Sequence, residues 1–292
     1  MIISHKASAS SSNPQSRLQM ATLNAAETAH YRAQGYLVPG FRLPAARINH
    51  LRATLDQLIR DNPGVRPEKL VSAHVVGHGK NNKNDEGVKG NQAFLDLAME
   101  PEIIDMVAQL IGPDIILWGC HVFCKPAGDG HETPWHQDGH YWPMRPLATC
   151  TVWVALDEST TENGCLRVIP ASHAAKITHP HLLEDREDLV LSQRTADAAF
   201  NEADAVSLQL QPGQMSMHDV FMIHGARVNH STKRRAGVAL RYMPGTSVFE
   251  RNLNPADGKS GVSVAFATRP LWLLRGEDKT RRNDFKVGHA AA

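Results

Sequence analysis

DIILWGCHVFCKPAGDG, residues 114–130, is dense in apolar and aromatic side chains and then breaks at Pro126, Gly128 and Gly130. That is the composition of a strand running into a turn. The same short form returns as ATCTVWVALD (148–157), GCLRVIP (164–170), AVSLQLQ (205–211), VFMIHGA (220–226) and AGVALRYMP (236–244). Each run is parted from the next by Gly, Pro, Asn or Asp.

Upstream the period changes. Asn24 with Glu27 has the form of a capping box, and Gly35 is placed to end the helix that follows. YLVPGF (36–41) reads as a short strand. Pro44 can occupy a first helical turn, and Ile48, Leu51, Leu55, Leu58 and Ile59 recur at helical spacing to about Asp61. Residues 62–90 read as loop. Two more helices are expected over 91–98 and 101–111, the second framed by Pro101 and Gly112. Helices first and strands afterwards mean α+β, with an antiparallel sandwich or barrel buttressed by the N-terminal helices. A doubly wound parallel sheet would need regular strand–helix alternation, which is absent.

A chain of 292 residues can bury a full core. We expect one domain over 21–292, with its β core at about 114–244, an inserted loop or lid at 175–204 and a covering tail at 245–292. Residues 1–20 are Ser-rich and read as a disordered tail; Met20 is a candidate start. Lys and Arg number 31 against 30 Asp and Glu. This balance leaves no electrostatic footprint for nucleic acid or an acidic membrane, so a small-molecule substrate is the expected partner. No apolar run approaches the roughly 18 residues of a membrane span, and a cytoplasmic location is expected. Cys120, Cys124, Cys150 and Cys165 form no CxxC pair and read as buried thiols. Oligomeric state is not legible.

Sixteen histidines stand out, and position must sort them. TPWHQDGHYWPMRP (133–146) holds His136 and Asp138 two apart, so on an extended segment both side chains leave one face. Alone this is weak, because on the order of one HxD triplet arises by chance in such a chain. His224, on a distant strand-like run, supplies a third donor. Two histidines and one carboxylate on one face of a metal suit non-haem iron(II). A dicarboxylate cosubstrate would need an arginine, and Arg234 and Arg235 both stand before AGVALRY. Spacing alone does not choose between them.

HQDGHYWPMRP (136–146), TVWVALDESTTENGCLRVIPASH (151–173) and IHGARVNHSTKRRAGVALRY (223–242) resemble, in order and spacing, the phytanoyl-CoA dioxygenase family. The resemblance covers about Tyr36 to Met243. It implies a double-stranded β-helix, the jelly-roll or cupin-like barrel, with Fe(II) at its open end and 2-oxoglutarate and O2 as cosubstrates. It further implies that His136, Asp138 and His224 are the iron ligands. The cosubstrate arginine of the family stands eleven residues after the distal histidine, which selects Arg235. Trp153 and His121 take cosubstrate-lining positions. Because Asp138 is present, the resemblance favours hydroxylation over halogenation. Many relatives carry a small hydroxyl residue where this chain has Ala226, and PGQ (212–214) replaces a common PGD. His173 is not expected to be a ligand. The substrate pocket is expected near His140, Tyr141, Trp142 and Arg145. Two other classes remain: a zinc hydrolase using Asp138 or Glu132, and a barrel that binds without catalysis.

Overall fold

The computed structural model describes residues 22–76, 88–253 and 266–289. The expected tail at 1–20 lies outside them. Four helices open the chain: α1 (Ala25–Gln34), α2 (Ala45–Asp61), α3 (Gln92–Ala98) and α4 (Pro101–Ile111). The capping box forms as expected. The Asn24 side chain accepts from the Glu27 amide, the Glu27 carboxylate accepts from the Asn24 amide, and Gly35 ends the helix at φ 80°. Pro44 stands one residue earlier than expected, capping α2 rather than sitting in its first turn.

Fifteen short strands follow or intervene among the described residues. They are β1 (Tyr36–Leu37), β2 (Leu70–Val71), β3 (Ile115–Lys125), β4 (Thr133–Gln137), β5 (Met144–Arg145), β6 (Cys150–Ala155), β7 (Leu166–Val168) and β8 (His181–Leu183). The rest are β9 (Gln193–Thr195), β10 (Val206–Leu208), β11 (Met215–Asp219), β12 (Ile223–Ala226), β13 (Arg235–Pro244), β14 (Val248–Phe249) and β15 (Trp272–Arg275). The major sheet has the order β1-β11-β6-β13-β3-β15, with β2 also paired to β3. The facing sheet has the order β10-β7-β12-β4. All these pairings are antiparallel. Along the chain, β3, β6, β11 and β13 lie in one sheet and β4, β7, β10 and β12 in the other. The chain therefore winds back and forth between two sheets, which is the jelly-roll barrel of a double-stranded β-helix.

Strand alternation then divides the residues of the major sheet. Cys120, Val122, Val152, Val154, Met217, Val238 and Leu240 face outward into one core with Leu51, Leu55 and Phe94 of the helices. Their neighbours Phe123, Thr151, Trp153, His218, Arg235 and Arg241 face the barrel interior and line a cavity. The apolar face buys the stability; the other face is left free for chemistry. All four cysteines are buried free thiols, as expected.

The sequence reading missed pairing in three segments. Residues 62–90 contain β2, joined to β3 at Val122 and His121. Residues 175–204 contain the β8–β9 hairpin. The tail after 244 supplies β14, paired to β5, and β15, which lengthens the major sheet beside β3. These strands have two to four residues each, too few to show a period. They exist because a long neighbouring strand or a hairpin partner offers hydrogen bonds.

Candidate metal and cosubstrate site

His136 and His224 are direct cross-strand partners between β4 and β12, with ring centroids 4.2 Å apart. Each ring is oriented the same way. His136 Nδ1 lies 2.9 Å from the Pro134 carbonyl, and His224 Nδ1 lies 3.0 Å from that of Met222. A carbonyl only accepts, so each Nδ1 carries the proton and each Nε2 presents its lone pair. Gly225 lets β12 bulge here, because a Cβ would meet the Thr133 carbonyl oxygen at 3.0 Å.

Asp138 is not on the strand. It opens a 3-10 turn, Asp138–His140, directly after β4. Its carboxylate still reaches the same point, with Oδ1 3.7 Å from His136 Nε2. Donor atoms of His136, Asp138 and His224 all lie within 4.8 Å of one another, and all three residues are buried. On the far side, Thr151 Oγ1 lies 3.3 Å and His218 Nε2 3.5 Å from Asp138 Oδ2. Burial by itself would push the Asp138 carboxyl up. Hydrogen bonding by the His136 and His218 imidazoles, the neighbouring His224 ring and the charge of Arg241 instead hold it well below the usual range. Burial, reinforced by His136 and His218, drives the His224 imidazole well below its ordinary value, keeping it in the neutral form that binds metals. Two imidazole nitrogens and one carboxylate, gathered on one wall of a cavity, fit a divalent iron with positions left open.

The same cavity is open to solvent, and the space inside it and its mouth together comes to about 480 Å³. Arg235 lies in its wall, 3% exposed, with its guanidinium 5.2 Å from the Trp153 ring. Its Nε has no hydrogen-bond partner, and burial lowers the group to about 10. Gly237 makes room for that aromatic wall: a Cβ there would sit 2.0 Å from Trp153 Cζ2. Arg234 points away, bound to Asp157 at 2.9 Å and paired with Asp56. The strand's alternation thus separates two arginines that spacing left equivalent. Ala226 lines the cavity, and Thr133, its cross-strand partner, brings a hydroxyl to the same wall. His121 faces the interior but is not among the lining residues. Its ring stacks at 4.0 Å on Phe123, which takes the wall position expected of it. Asp138 is the sole carboxylate in the described lining. Glu132 bonds Arg186 instead, so a hydrolase has no second acid there.

A family model described as phytanoyl-CoA dioxygenase matches residues 31–237. The chain belongs to the phytanoyl-CoA dioxygenase family. It is 28% identical over 179 residues to a phytanoyl-CoA dioxygenase domain-containing protein 1 homolog of Dictyostelium discoideum, covering 61% of each chain. It is 27% identical over 237 residues to a probable phytanoyl-CoA dioxygenase of Caenorhabditis elegans, covering 75% of each. The chain thus spans about three fifths of the first relative's length and three quarters of the second's. Among solved structures, the apo form of the non-haem monooxygenase ThoJ superposes with a TM-score of 0.66 at 25% identity, covering 86% of this chain and 84% of that one.

The phytanoyl-CoA dioxygenase family is one of iron(II)/2-oxoglutarate oxygenases. Four polar residues of the site escaped sequence reading: Thr133, Thr151, His218 and Arg241. Alternation and register relate the last three to residues already placed in the site, but neither marks them as site residues in the sequence alone. Thr151 alternates with Trp153, and Arg241 with Arg235. His218 pairs with Thr151 across β11 and β6. His140, Tyr141, Trp142 and Arg145, expected around the substrate, are not in the described cavity wall. His140 and Tyr141 contact the β8–β9 hairpin instead.

Proposed function

We propose that this chain is an iron(II)- and 2-oxoglutarate-dependent dioxygenase that hydroxylates a C–H bond of a small-molecule substrate, releasing succinate and CO2. The observation that carries the reading is the convergence, in one cavity, of the His136–Asp138–His224 donor set and the buried arginine Arg235. A metal-binding barrel without a cosubstrate dicarboxylate gives Arg235 no partner, and an unpartnered buried cation is costly.

In this reading His136, Asp138 and His224 hold the iron, and bound iron with 2-oxoglutarate supplies the oxidising chemistry. The chain orients and encloses. The carbonyls of Pro134 and Met222 fix the two imidazole tautomers. Thr151 and His218 hold Asp138 in its charged, ligating form. Arg235 grips the distal carboxylate of 2-oxoglutarate with charge-assisted hydrogen bonds. Thr133 supplies the hydroxyl that Ala226 lacks, and Trp153 closes that end against water. A cytoplasmic location, supported by composition alone, belongs to the same proposal and is checked by cell fractionation.

Anaerobic addition of Fe(II) and 2-oxoglutarate should give a weak visible charge-transfer band in the wild type. Asp138→Ala should lose both the band and oxygen-dependent succinate formation. A wild type without the band, or an Asp138→Ala variant that forms succinate normally, would remove the assigned site.

A further inference from the structure

Arg241 is the charged residue of the described cavity lining that this mechanism does not use. It sits on the same inward face of β13 as Arg235, six residues on, roughly 20 Å along an extended strand. Its cross-strand partner on β6 is Thr151, whose hydroxyl lies 3.3 Å from the Asp138 carboxylate, so Arg241 stands on the metal-donor side of the cavity. Its guanidinium is held over two aromatic rings, 5.0 Å from Trp142 and 5.6 Å from Trp118. Those rings belong to the apolar cluster with Phe249 and Leu271 that backs this end of the barrel. Cation–π contact holds the charge in place but leaves its N–H donors unspent. Among the described residues none hydrogen-bonds or ion-pairs with Arg241, and its Nε is buried without a partner.

A second cation stands behind it. Arg269 is 4% exposed and donates to Ser72 Oγ, with no carboxylate paired to it among the described residues. Burial, and then the charges of Arg241 and Arg251, bring Arg269 down to about 10. Arg251 is occupied, donating to the carbonyls of Arg269 and Asp284. Asp138 is the one carboxylate whose charge Arg241 feels, and that oxygen set faces the metal.

Charge balance sharpens the point. Under the proposed function, a dication, the Asp138 carboxylate, the 2-oxoglutarate dianion and Arg235 cancel to neutrality. Arg241 in the cavity wall, and Arg269 behind it, remain as positive charge with no carboxylate paired to either among the described residues. Buried cations of this kind are kept where an anion is to be received. A guanidinium held within cation–π reach of two indoles keeps the paired donors that suit a carboxylate or phosphonate group.

We propose that Arg241, backed by Arg269, is the anchor for an oxyanion on the substrate, so that the enzyme acts on small organic acids, carboxylic or phosphonic. The inference rests on the proposed function for the word substrate; the anion site itself does not. The anchored group meets Arg241 at the cavity wall, and the carbon to be oxidised extends from it toward the donors at His136, Asp138 and His224. Specificity then comes from the fixed distance between the anchor and the metal.

The test is calorimetric titration of protein loaded anaerobically with Fe(II) and 2-oxoglutarate, which fills the Arg235 end. Benzoate and inorganic phosphate are the probes for the two acid classes, and benzamide is the neutral control. The wild type should bind at least one of the anions and not benzamide. Arg241→Gln should weaken that binding by at least about tenfold, and Arg241→Lys should recover part of it. The charge-transfer band reports separately on fold and cosubstrate. Its loss in Arg241→Gln would mean that Arg241 serves 2-oxoglutarate itself, overturning the proposal. Equal anion binding by wild type and Arg241→Gln, or none by the wild type, would overturn it as well. Should the wild type show no band, the proposed function fails and the anion site is read in metal-free protein. There, phosphate binding that survives Arg235→Gln and is lost in Arg241→Gln supports the site; any other pattern removes it.

Discussion

Arg234 and Arg235 show how much one residue's parity decides. They are adjacent and equally basic, and only the family's eleven-residue offset from the distal histidine tells them apart in the sequence. In the fold Arg234, just before β13, points to Asp157 and Asp56 at the surface, and Arg235, the first residue of β13, points into the cavity beside Trp153. Neutralising them should therefore have unlike effects. Arg235→Gln should raise the KM for 2-oxoglutarate by about 10- to 100-fold, the range of one or two charge-assisted hydrogen bonds. Arg234→Gln should leave that KM unchanged and lower the melting temperature slightly, since half-exposed ion pairs contribute little. Steady-state kinetics on both variants decide the matter, and a KM effect confined to Arg234 would reverse the assignment. His136, Asp138 and His224 were legible because their types are diagnostic of metal binding. Arg241 and His218 were not, since an isolated arginine or histidine on a strand has no diagnostic spacing.

At the scale of elements, the β8–β9 hairpin is tied to the metal-bearing strand through a titratable group. The Gln137 amide donates to His181 Nε2 at 3.2 Å, and His181 Nδ1 lies 2.9 Å from the His179 carbonyl. His181 is thus neutral, with its ring stacked at 3.9 Å on His140. Burial, and then the charge of His140, lowers its pKa to about 3. An unfolded histidine titrates near 6.5. Between about 6.5 and about 3 the unfolded chain therefore holds a proton that the folded one does not, so this contribution to stability is complete above that window and declines as the pH falls through it. Amides of the hairpin should exchange faster at pH 5 than at pH 7.5, after correction for intrinsic rates. His181→Gln, which keeps an acceptor but cannot titrate, should flatten that dependence. Identical profiles for the two proteins would dismiss His181 as the cause. The hairpin itself was read only as a loop or lid, because three-residue strands carry no usable alternation.

For the whole molecule, the tail beyond Pro244 is part of the barrel's construction. β15 pairs with β3, Leu271 is 1% exposed, and Trp272 packs its ring 4.8 Å from those of His74 and His289. Leu271 shares its cluster with Trp118 and Trp142, the two indoles that hold Arg241. Leu271→Ala should cost about 2–5 kcal/mol, the usual range for emptying a buried leucine site. Thermal unfolding should register this as a melting temperature lower by several degrees. A wild-type melting temperature would mean that the tail merely lies on the surface. No described helix is long and apolar enough to cross a membrane.

The sequence by itself determined the helices and the strand-rich middle, and through its family resemblance it named the candidate donors His136, Asp138 and His224 and the arginine Arg235. Caps and amphipathic periods are local properties that a short window carries whole. Only the tertiary structure decided that the three donors converge in one cavity, that Thr133 stands opposite Ala226, and that Phe123 rather than His121 forms the wall. It alone also revealed the unpaired cation at Arg241. These depend on register between strands distant in the chain, and a shift of one residue in register would turn every one of those side chains to the other face.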